Sequence, residues 1–480
     1  MRRNMGITPP AHPDAASGAH QFETEEICMS QALERNETDD ALAGPAKKST
    51  TETPKLAAIS GDRPLRILLP SYRSNPTTGG QGVYMRHIAK ALVDLGHQVD
   101  VISGPPYPEI DPRVKLIKLP SLDLYANPHP IRSLRPWMFA YPIDLFEWWS
   151  HATGGFSEPY TFCERMARYV RGTVQDYDVC HDNQTLGWGL LKLRDMGLPI
   201  VGTIHHPITM DRRIDIEHAR TLQLKLLKRR WYSFLNMQIK VARQLDPLIV
   251  VSESTRRDVA REFGVDISKT RLVLHGIDHI QFRPIPEVKR RDDLIVACAS
   301  ADVPLKGLIY LIRAYAELLQ TRPNLKLKVI GRLREGNTSH ELRTLGIMDK
   351  VEFIGGVSDD DITQIYNEAT IAVSPSVYEG FGFPCGEAMS CGTPVIATNG
   401  GSLPEVVGDA GIVVPHSNPP ALARAIAAML DDPEMRARYG EAGRERILAN
   451  FKWERAAREC VEIYRQTIAD ADNRLERARA

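Results

Sequence analysis

No window of about 18 apolar residues occurs in the chain, so the sequence predicts no membrane-spanning helix. The first residues lack the apolar core of a secretory leader, so export is not expected. Net charge is absent as well. Sixty Lys and Arg balance 60 Asp and Glu among 480 residues, so no global field draws the protein to nucleic acid. Cysteine is scarce: the seven, at 28, 163, 180, 298, 385, 391 and 460, contain no Cys-x-x-Cys pair. That argues against a disulfide framework or a zinc site and suits a reducing cytosol. The expected location is cytoplasmic. Residues 1–63 hold one aromatic, Phe22, with seven Lys/Arg and ten Asp/Glu. Such a segment buries too little apolar surface to offset its ordering entropy and reads as a disordered tail. Met5 and Met29 are alternative starts within it.

From Arg66 onward short apolar runs alternate with helical patterns, the mark of α/β folding with parallel sheets. Strands are expected at 66–69, 98–102, 115–119, 178–180, 200–204 and 248–251. Tyr84, Ile88, Leu92 and Leu95 share one face of a first helix that Gly96 ends. A second set of strands is expected at 294–298, 325–330, 351–354, 370–373, 394–397 and 411–414. Between the sets, the polar, proline-containing stretch 282–293 reads as a linker. The expected division is a tail over 1–63, one Rossmann-like domain over 64–283, a second over 284–451, and a terminal segment over 452–480.

The richest stretch is Ser374-Pro-Ser-Val-Tyr-Glu379-Gly-Phe-Gly-Phe-Pro-Cys-Gly-Glu387. It sets two carboxylates on a glycine-rich loop between an apolar strand and a helix. The C-terminal end of a parallel strand is where open α/β sheets bind ligands. Gly380 and Gly382 permit close backbone approach, and Pro384 suits a first helical turn. The helix start favours an anion such as a diphosphate. Glu387, about one turn in, is placed to accept bonds from a vicinal diol; Glu379, at the loop mouth, is placed for a second polyol. Gly79-Gly80-Gln-Gly82 follows the first strand and opens the first helix, a second phosphate-type loop. Asp359, Asp360 and Asp361 look like a metal site, but Ser358 before them fits a helix cap with acids in the first turn. No metal is expected.

This loop, with Gly392-Thr-Pro-Val-Ile-Ala-Thr-Asn-Gly-Gly401 and Leu403-Pro-Glu405, resembles the E-x7-E signature of family-4 retaining glycosyltransferases. The resemblance covers about residues 64–470. It implies a GT-B fold: two Rossmann-like domains facing across a cleft, with the last helix, within 452–470, returning to the first domain. It implies transfer of a hexosyl group from a nucleoside-diphosphate (NDP) sugar to an acceptor hydroxyl on a glycan, glycolipid or small molecule, with no cofactor or metal. By the same resemblance, His205 of Thr203-Ile-His205-His206, Glu379 and Lys306 are the catalytic candidates. Donor-binding candidates are Gly79, Gly80, Gly82, Lys306, Gly355, Gly356, Gly380, Phe381, Gly382, Phe383 and Glu387. Relatives place an arginine five or six residues before this lysine, where the chain has Ala301 and Ser300. Arg332 is the candidate to replace that cation. The departure keeps two rival readings open: a GT-B nucleotide-sugar epimerase, and a degenerate sugar-nucleotide-binding protein.

Nine of the chain's 33 aromatics fall within residues 137–162. A helical hairpin packed on the first domain accounts for them; so does an acceptor-side or membrane-facing surface. Lys225, Lys228, Arg229 and Arg230 with Trp231 form a basic helix patch nearby, which is either a solvated face or a contact for anionic lipid. The expected partners are an NDP-sugar donor and a carbohydrate or lipid-linked acceptor, not nucleic acid. Peripheral contact with the inner face of a membrane completes the set.

Overall fold

The computed structural model describes residues 63–75, 80–127, 129–219, 221–298 and 304–479. The tail expected over 1–63 lies, Arg63 apart, outside the described residues, as do Gly79, Ser300 and Ala301.

Among the described residues the first half builds seven strands: β1 (Arg66–Ser71), β2 (Gln98–Ser103), β3 (Lys115–Lys118), β4 (Val179–Asn183), β5 (Ile200–Ile204), β6 (Leu248–Val250) and β7 (Thr270–Leu272). They form one parallel sheet in the order β3-β2-β1-β4-β5-β6-β7. Its helices are α1 (Gly80–Asp94), α2 (Pro142–Ala152), α3 (Glu158–Val170), α4 (Trp188–Asp195), α5 (Thr209–His218), α6 (Leu222–Trp231), α7 (Leu235–Ala242) and α8 (Glu253–Phe263). The central strands β4 and β5 are buried along their whole length, because helices cover both faces of a parallel sheet. β7 has no counterpart in the sequence reading. It is three residues long with two exposed, so no apolar run reveals it.

The second half repeats the plan with β8 (Leu294–Cys298), β9 (Lys326–Ile330), β10 (Val351–Ile354), β11 (Ile371–Ser374), β12 (Val395–Thr398) and β13 (Ile412–Val414). The sheet is parallel, in the order β10-β9-β8-β11-β12-β13. Helices α9 (Leu308–Leu319), α10 (Asn337–Thr344), α11 (Asp359–Glu368), α12 (Phe383–Ser390), α13 (Leu403–Val407), α14 (Pro419–Asp431) and α15 (Pro433–Asn450) surround it. The architecture is GT-B: two Rossmann-like sheets.

The last helix, α16 (Trp453–Arg479), belongs spatially to the first sheet. Trp453, Ala456, Ala457, Cys460, Tyr464 and Ile468 recur every three or four positions and enter the core with Leu65, Ile67, Met85 and Ile88. That spacing makes one apolar stripe. The Tyr464 hydroxyl also bonds the buried His181 ring of β4. The stretch 282–293 is not a free tether. Ile285 N donates to Asn367 Oδ1 at 2.8 Å, and Arg290 Nη1 donates to the Ala369 carbonyl at 2.5 Å.

Each sheet reverses its winding once, between β1 and β4 in the first and between β8 and β11 in the second. A crevice opens beyond the strand ends at such a reversal. The glycine turn opening α1 follows β1, and the Glu379 loop follows β11. Topology alone therefore directs both glycine-rich loops to the two crevices.

Candidate active site

The Glu379 loop leaves β11 at Ser374 and enters α12 through Gly382, whose φ of 101° lies in the left-handed region. Glycine reaches that conformation without a Cβ clash. Pro384 sits in the first turn of α12. The Glu379 carboxylate is fixed from two sides: Ser376 Oγ donates to Oε1 at 2.8 Å, and Lys306 Nζ donates to the same atom at 2.6 Å. Lys306 ends a 3-10 turn, Pro304–Lys306. That turn is pinned to the loop, because Val377 N donates to the Leu305 carbonyl at 2.7 Å. Burial works against the Lys306 charge, but the Glu379 carboxylate outweighs it and leaves the pKa raised. The site thus contains an internal ion pair.

Glu387 has the opposite environment. Burial first, then the carboxylates of Asp359 and Asp278, push its pKa up to about 8 against the pull of Arg86. Arg86 is itself committed to Asp359, Nη2 to Oδ2 at 3.0 Å. Among the described residues nothing donates a hydrogen bond to the Glu387 carboxyl. A half-buried carboxyl lacking donors is held in its neutral form, and a ligand offering two hydroxyls would favour the charged form.

The two halves meet at this loop. A Cβ on Gly380 would collide with the His205 carbonyl and lie 2.9 Å from His206 Cβ. The Gly380 carbonyl accepts from Ser252 Oγ at 3.2 Å and Thr255 Oγ1 at 3.3 Å. Tyr378 Oη donates to Asp258 Oδ2 at 2.9 Å. Glu405 of α13 accepts from the Glu253 and Ser254 amides, each at 2.7 Å. It therefore caps α8 from the opposite unit, a negative charge at a helix N-terminus.

The structure redistributes the two histidines. Both ring nitrogens of His205 are engaged inside the protein: Nε2 with Asn183 Oδ1 at 2.6 Å and Nδ1 with His275 Nε2 at 2.9 Å. Burial first, then the neighbouring His275, hold its pKa well below the usual value, so the ring is neutral. His206 bonds Asp211 Oδ2 through Nε2 at 3.0 Å. Burial lowers its pKa, but Asp211 and Glu379 raise it further, with Lys306 opposing. His206, not His205, is the ring whose charge senses the Lys306–Glu379 pair. Spacing along an extended strand does not reveal this, because both residues lie beyond the end of β5.

Other expected residues divide. Gly80 opens α1 with Phe383 beside it, 3.5 Å from where a Cβ would stand, and Gly82 packs on the Asn75 carbonyl. Phe381 is 5 % exposed and packs against His275, Phe383 and Phe451. Its ring is a wedge in the core, which leaves only its backbone to line the loop. Phe383 stacks on His275 at 5.5 Å and 8°. Arg332 is exposed, and its stem lies over Gly355, with Nη2 3.4 Å from where a Cβ on Gly356 would stand. Among the described residues no contact joins Arg332 to Lys306 or Glu379. Asp361 and Ser358 form a reciprocal capping box on α11. Among the described residues no group of three or more His, Cys, Asp or Glu is placed to hold a metal ion. His275, Asn183 and Ser376 escaped the sequence reading; only Glu405 carried a signal, in Leu403-Pro-Glu405.

Comparison with known proteins agrees with this fold. The Glycosyltransferase Family 4 profile matches residues 78–281, and the Glycosyl transferases group 1 profile matches 281–446. The chain is 44 % identical over 411 residues to the MMP alpha-(1->4)-mannosyltransferase of Mycolicibacterium hassiacum, covering 84 % of this chain and 99 % of that one. It is 27 % identical over 437 residues to D-inositol 3-phosphate glycosyltransferase 2 of Catenulispora acidiphila, covering 85 % and 96 %. Among solved structures, sucrose-phosphate synthase from Thermosynechococcus elongatus superposes with a TM-score of 0.65 at 25 % identity, covering 85 % of this chain and all of that one. Anabaena HepE, solved with UDP and glucose, superposes at 0.58 with 18 % identity, covering 85 % and 99 %, and shows the shared fold.

Proposed function

The chain belongs to the group 1, family-4 glycosyltransferases, and from that premise we propose that it transfers a mannosyl group from an NDP-sugar to a hydroxyl of a mannoside, with retention of configuration. The sugar and the acceptor class rest on the mannosyltransferase relative. The observation that carries the site assignment is the Lys306–Glu379 ion pair, held at 2.6 Å beside the N-terminus of α12.

In this reading the donor diphosphate lies at the α12 N-terminus, where free amides and the helix dipole favour an anion. Lys306 moves its charge from Glu379 to the diphosphate. Glu379, released, accepts from hydroxyls of the transferred sugar. Glu387 accepts from the ribose diol and gives up its proton in doing so. The bond from the anomeric carbon to the phosphate oxygen breaks with both electrons leaving on oxygen. Lys306 and the helix amides stabilise that developing charge, the largest kind of contribution a fixed site makes. The acceptor hydroxyl attacks the same face, its oxygen bonds the anomeric carbon, and its proton passes to the leaving phosphate oxygen. His206, held by Asp211, adds positive character on the acceptor side. The contacts of Gly380, Tyr378 and Glu405 with the first unit keep water from the bond being broken. A reducing cytosol, where sugar nucleotides are made, is the location this reading requires.

The test is incubation with UDP-, GDP- and ADP-sugars, with and without a mannoside acceptor. Acceptor-dependent release of a nucleoside diphosphate is expected. Isomerised sugar nucleotide without acceptor would assign the cleft to an epimerase. Nucleotide binding without turnover would make it a binding module.

A further inference from the structure

Outside the cleft, several of the exposed large apolar side chains among the described residues gather on the first unit. Two 3-10 turns, Pro130–Ser133 and Pro136–Ala140, and α2 present Ile131, Trp137, Phe139, Tyr141 and Trp149 to solvent. Phe139 is 66 % exposed and Trp137 48 %. Beside them α6 presents Leu222, 72 % exposed, with Leu226 and Leu227. These form one surface. Arg230 of α6 lies 5.4 Å over the Trp149 ring and donates to Thr153 Oγ1 at 2.9 Å, while Leu227 packs on Gly154. Monomers rarely leave a contiguous apolar patch of this kind uncovered.

The charges on α6 have one sign. α6 contains four basic residues and no acidic one. Lys228 is spent on Asp215 of α5 at 2.8 Å, but Lys225, Arg229 and Arg132 hold no ion pair among the described residues. The acids of the neighbouring α2, Asp144 and Glu147, share one partner, Arg165, which leaves a single net negative charge there. A second copy of the chain laid on this face would oppose Lys225 and Arg229 to their own equivalents. A glycan would use the rings but leave the leucines of α6 in water. A surface with apolar depth, a headgroup zone for Trp and Tyr, and negative charge satisfies all three features.

We propose that this face docks on the surface of an anionic lipid bilayer. Trp137, Phe139, Tyr141 and Trp149 sit at the headgroup level and the α6 leucines beneath it. Lys225, Arg229 and Arg132 supply the attraction, which is additive over basic residues and screened by salt. α5, tied to α6 through Asp215, packs against the turn that carries Lys306. The docked face therefore flanks the cleft mouth, and docking would fix the orientation of that mouth toward the bilayer.

The test is flotation of the full chain, without donor or acceptor, with vesicles of equimolar phosphatidylglycerol and phosphatidylcholine and with phosphatidylcholine alone. The wild type is expected to float only with the anionic vesicles, to be released by high salt, and to show blue-shifted tryptophan emission when bound. Lys225→Glu with Arg229→Glu should lower the partition coefficient at least about thirty-fold, the loss of two basic contacts. Trp137→Ser with Phe139→Ser should lower it too; unchanged melting temperatures would show both variants folded. Failure of the wild type to float would overturn the proposal, as would flotation of the charge-reversed variant at the wild-type level. Patch-dependent dimerisation without vesicle binding would assign the face to a second copy. A tryptophan response to a mannooligosaccharide but not to vesicles would assign it to a glycan.

Discussion

Replacing Glu387 with glutamine removes a charge that the unliganded protein resists. Burial, then Asp359 and Asp278, hold this carboxyl at about 8 rather than 4.5. The folded protein therefore binds this proton more tightly than the unfolded chain, and stability is lost as pH rises from 4.5 toward 8. At pH 7 that loss is at most about 3 kcal/mol. Glutamine keeps the shape without the charge, so Glu387→Gln should raise the melting temperature of the unliganded protein by a few degrees at pH 8, with the difference vanishing near pH 5. Nucleotide binding should respond in the opposite sense. Diol hydroxyls favour the carboxylate, so wild-type affinity for a nucleoside diphosphate should rise with pH, by up to tenfold per unit, and level off above about 8. The variant should bind about ten- to a hundredfold more weakly and lose that slope. Calorimetry in buffers of different ionisation heat reads the proton directly: the wild type should release one on binding at pH 7, the variant none. Equal affinity and an equal pH slope in the two proteins would refute the ribose assignment and the origin given for the shifted carboxyl.

Four further outcomes follow from the same geometry. Glu379→Ala should cut turnover strongly while leaving affinity for the free nucleoside diphosphate nearly unchanged, since the sugar it contacts is absent there; normal turnover would remove it from the site. Lys306→Ala should cost about 100- to 1,000-fold in rate, and Lys306→Arg should recover only part, because a planar fork does not match a point charge; an active Lys306→Ala with an inactive Arg332→Ala would move the phosphate cation to the loop after β9. The raised His206 pKa means that its pairing with Asp211 contributes stability at low pH that is lost as pH rises through that value; Asp211→Asn should flatten that part of the melting-temperature profile. Tyr464→Phe, which deletes the bond to His181, should cost about 1 kcal/mol in denaturant unfolding without changing nucleotide affinity.

Much of this architecture is written locally. Runs such as Leu294–Cys298 are short, apolar and flanked by polar turns, so period and length identify them as strands. The Glu379 loop is legible for the same reason: its glycines, proline and carboxylates are consecutive, and strand–loop–helix order fixes where they point. Residues that work through distant contacts are not legible this way. His275 lies 70 positions from His205 and Glu405 lies 152 from Glu253, and no periodicity links either pair. The distinction between His205 and His206 depends on Asn183, His275 and Asp211, which meet only after the first sheet and the start of α5 have formed. The position of the Phe381 ring, a donor-binding candidate by resemblance, is not legible either: packing of Ile277, Phe451 and α12 takes it into the core.

The most direct test of the proposed transfer is the anomeric configuration of its product. An α-configured NDP-mannose and a mannoside acceptor are incubated with the protein, and the new linkage is read by proton NMR of the anomeric signals. Attack on the face left by the diphosphate predicts an α-linked product that forms only with acceptor present and is lost in Lys306→Ala. A β-linked product would contradict same-face attack, and an isomerised donor formed without acceptor would contradict glycosyl transfer at this site.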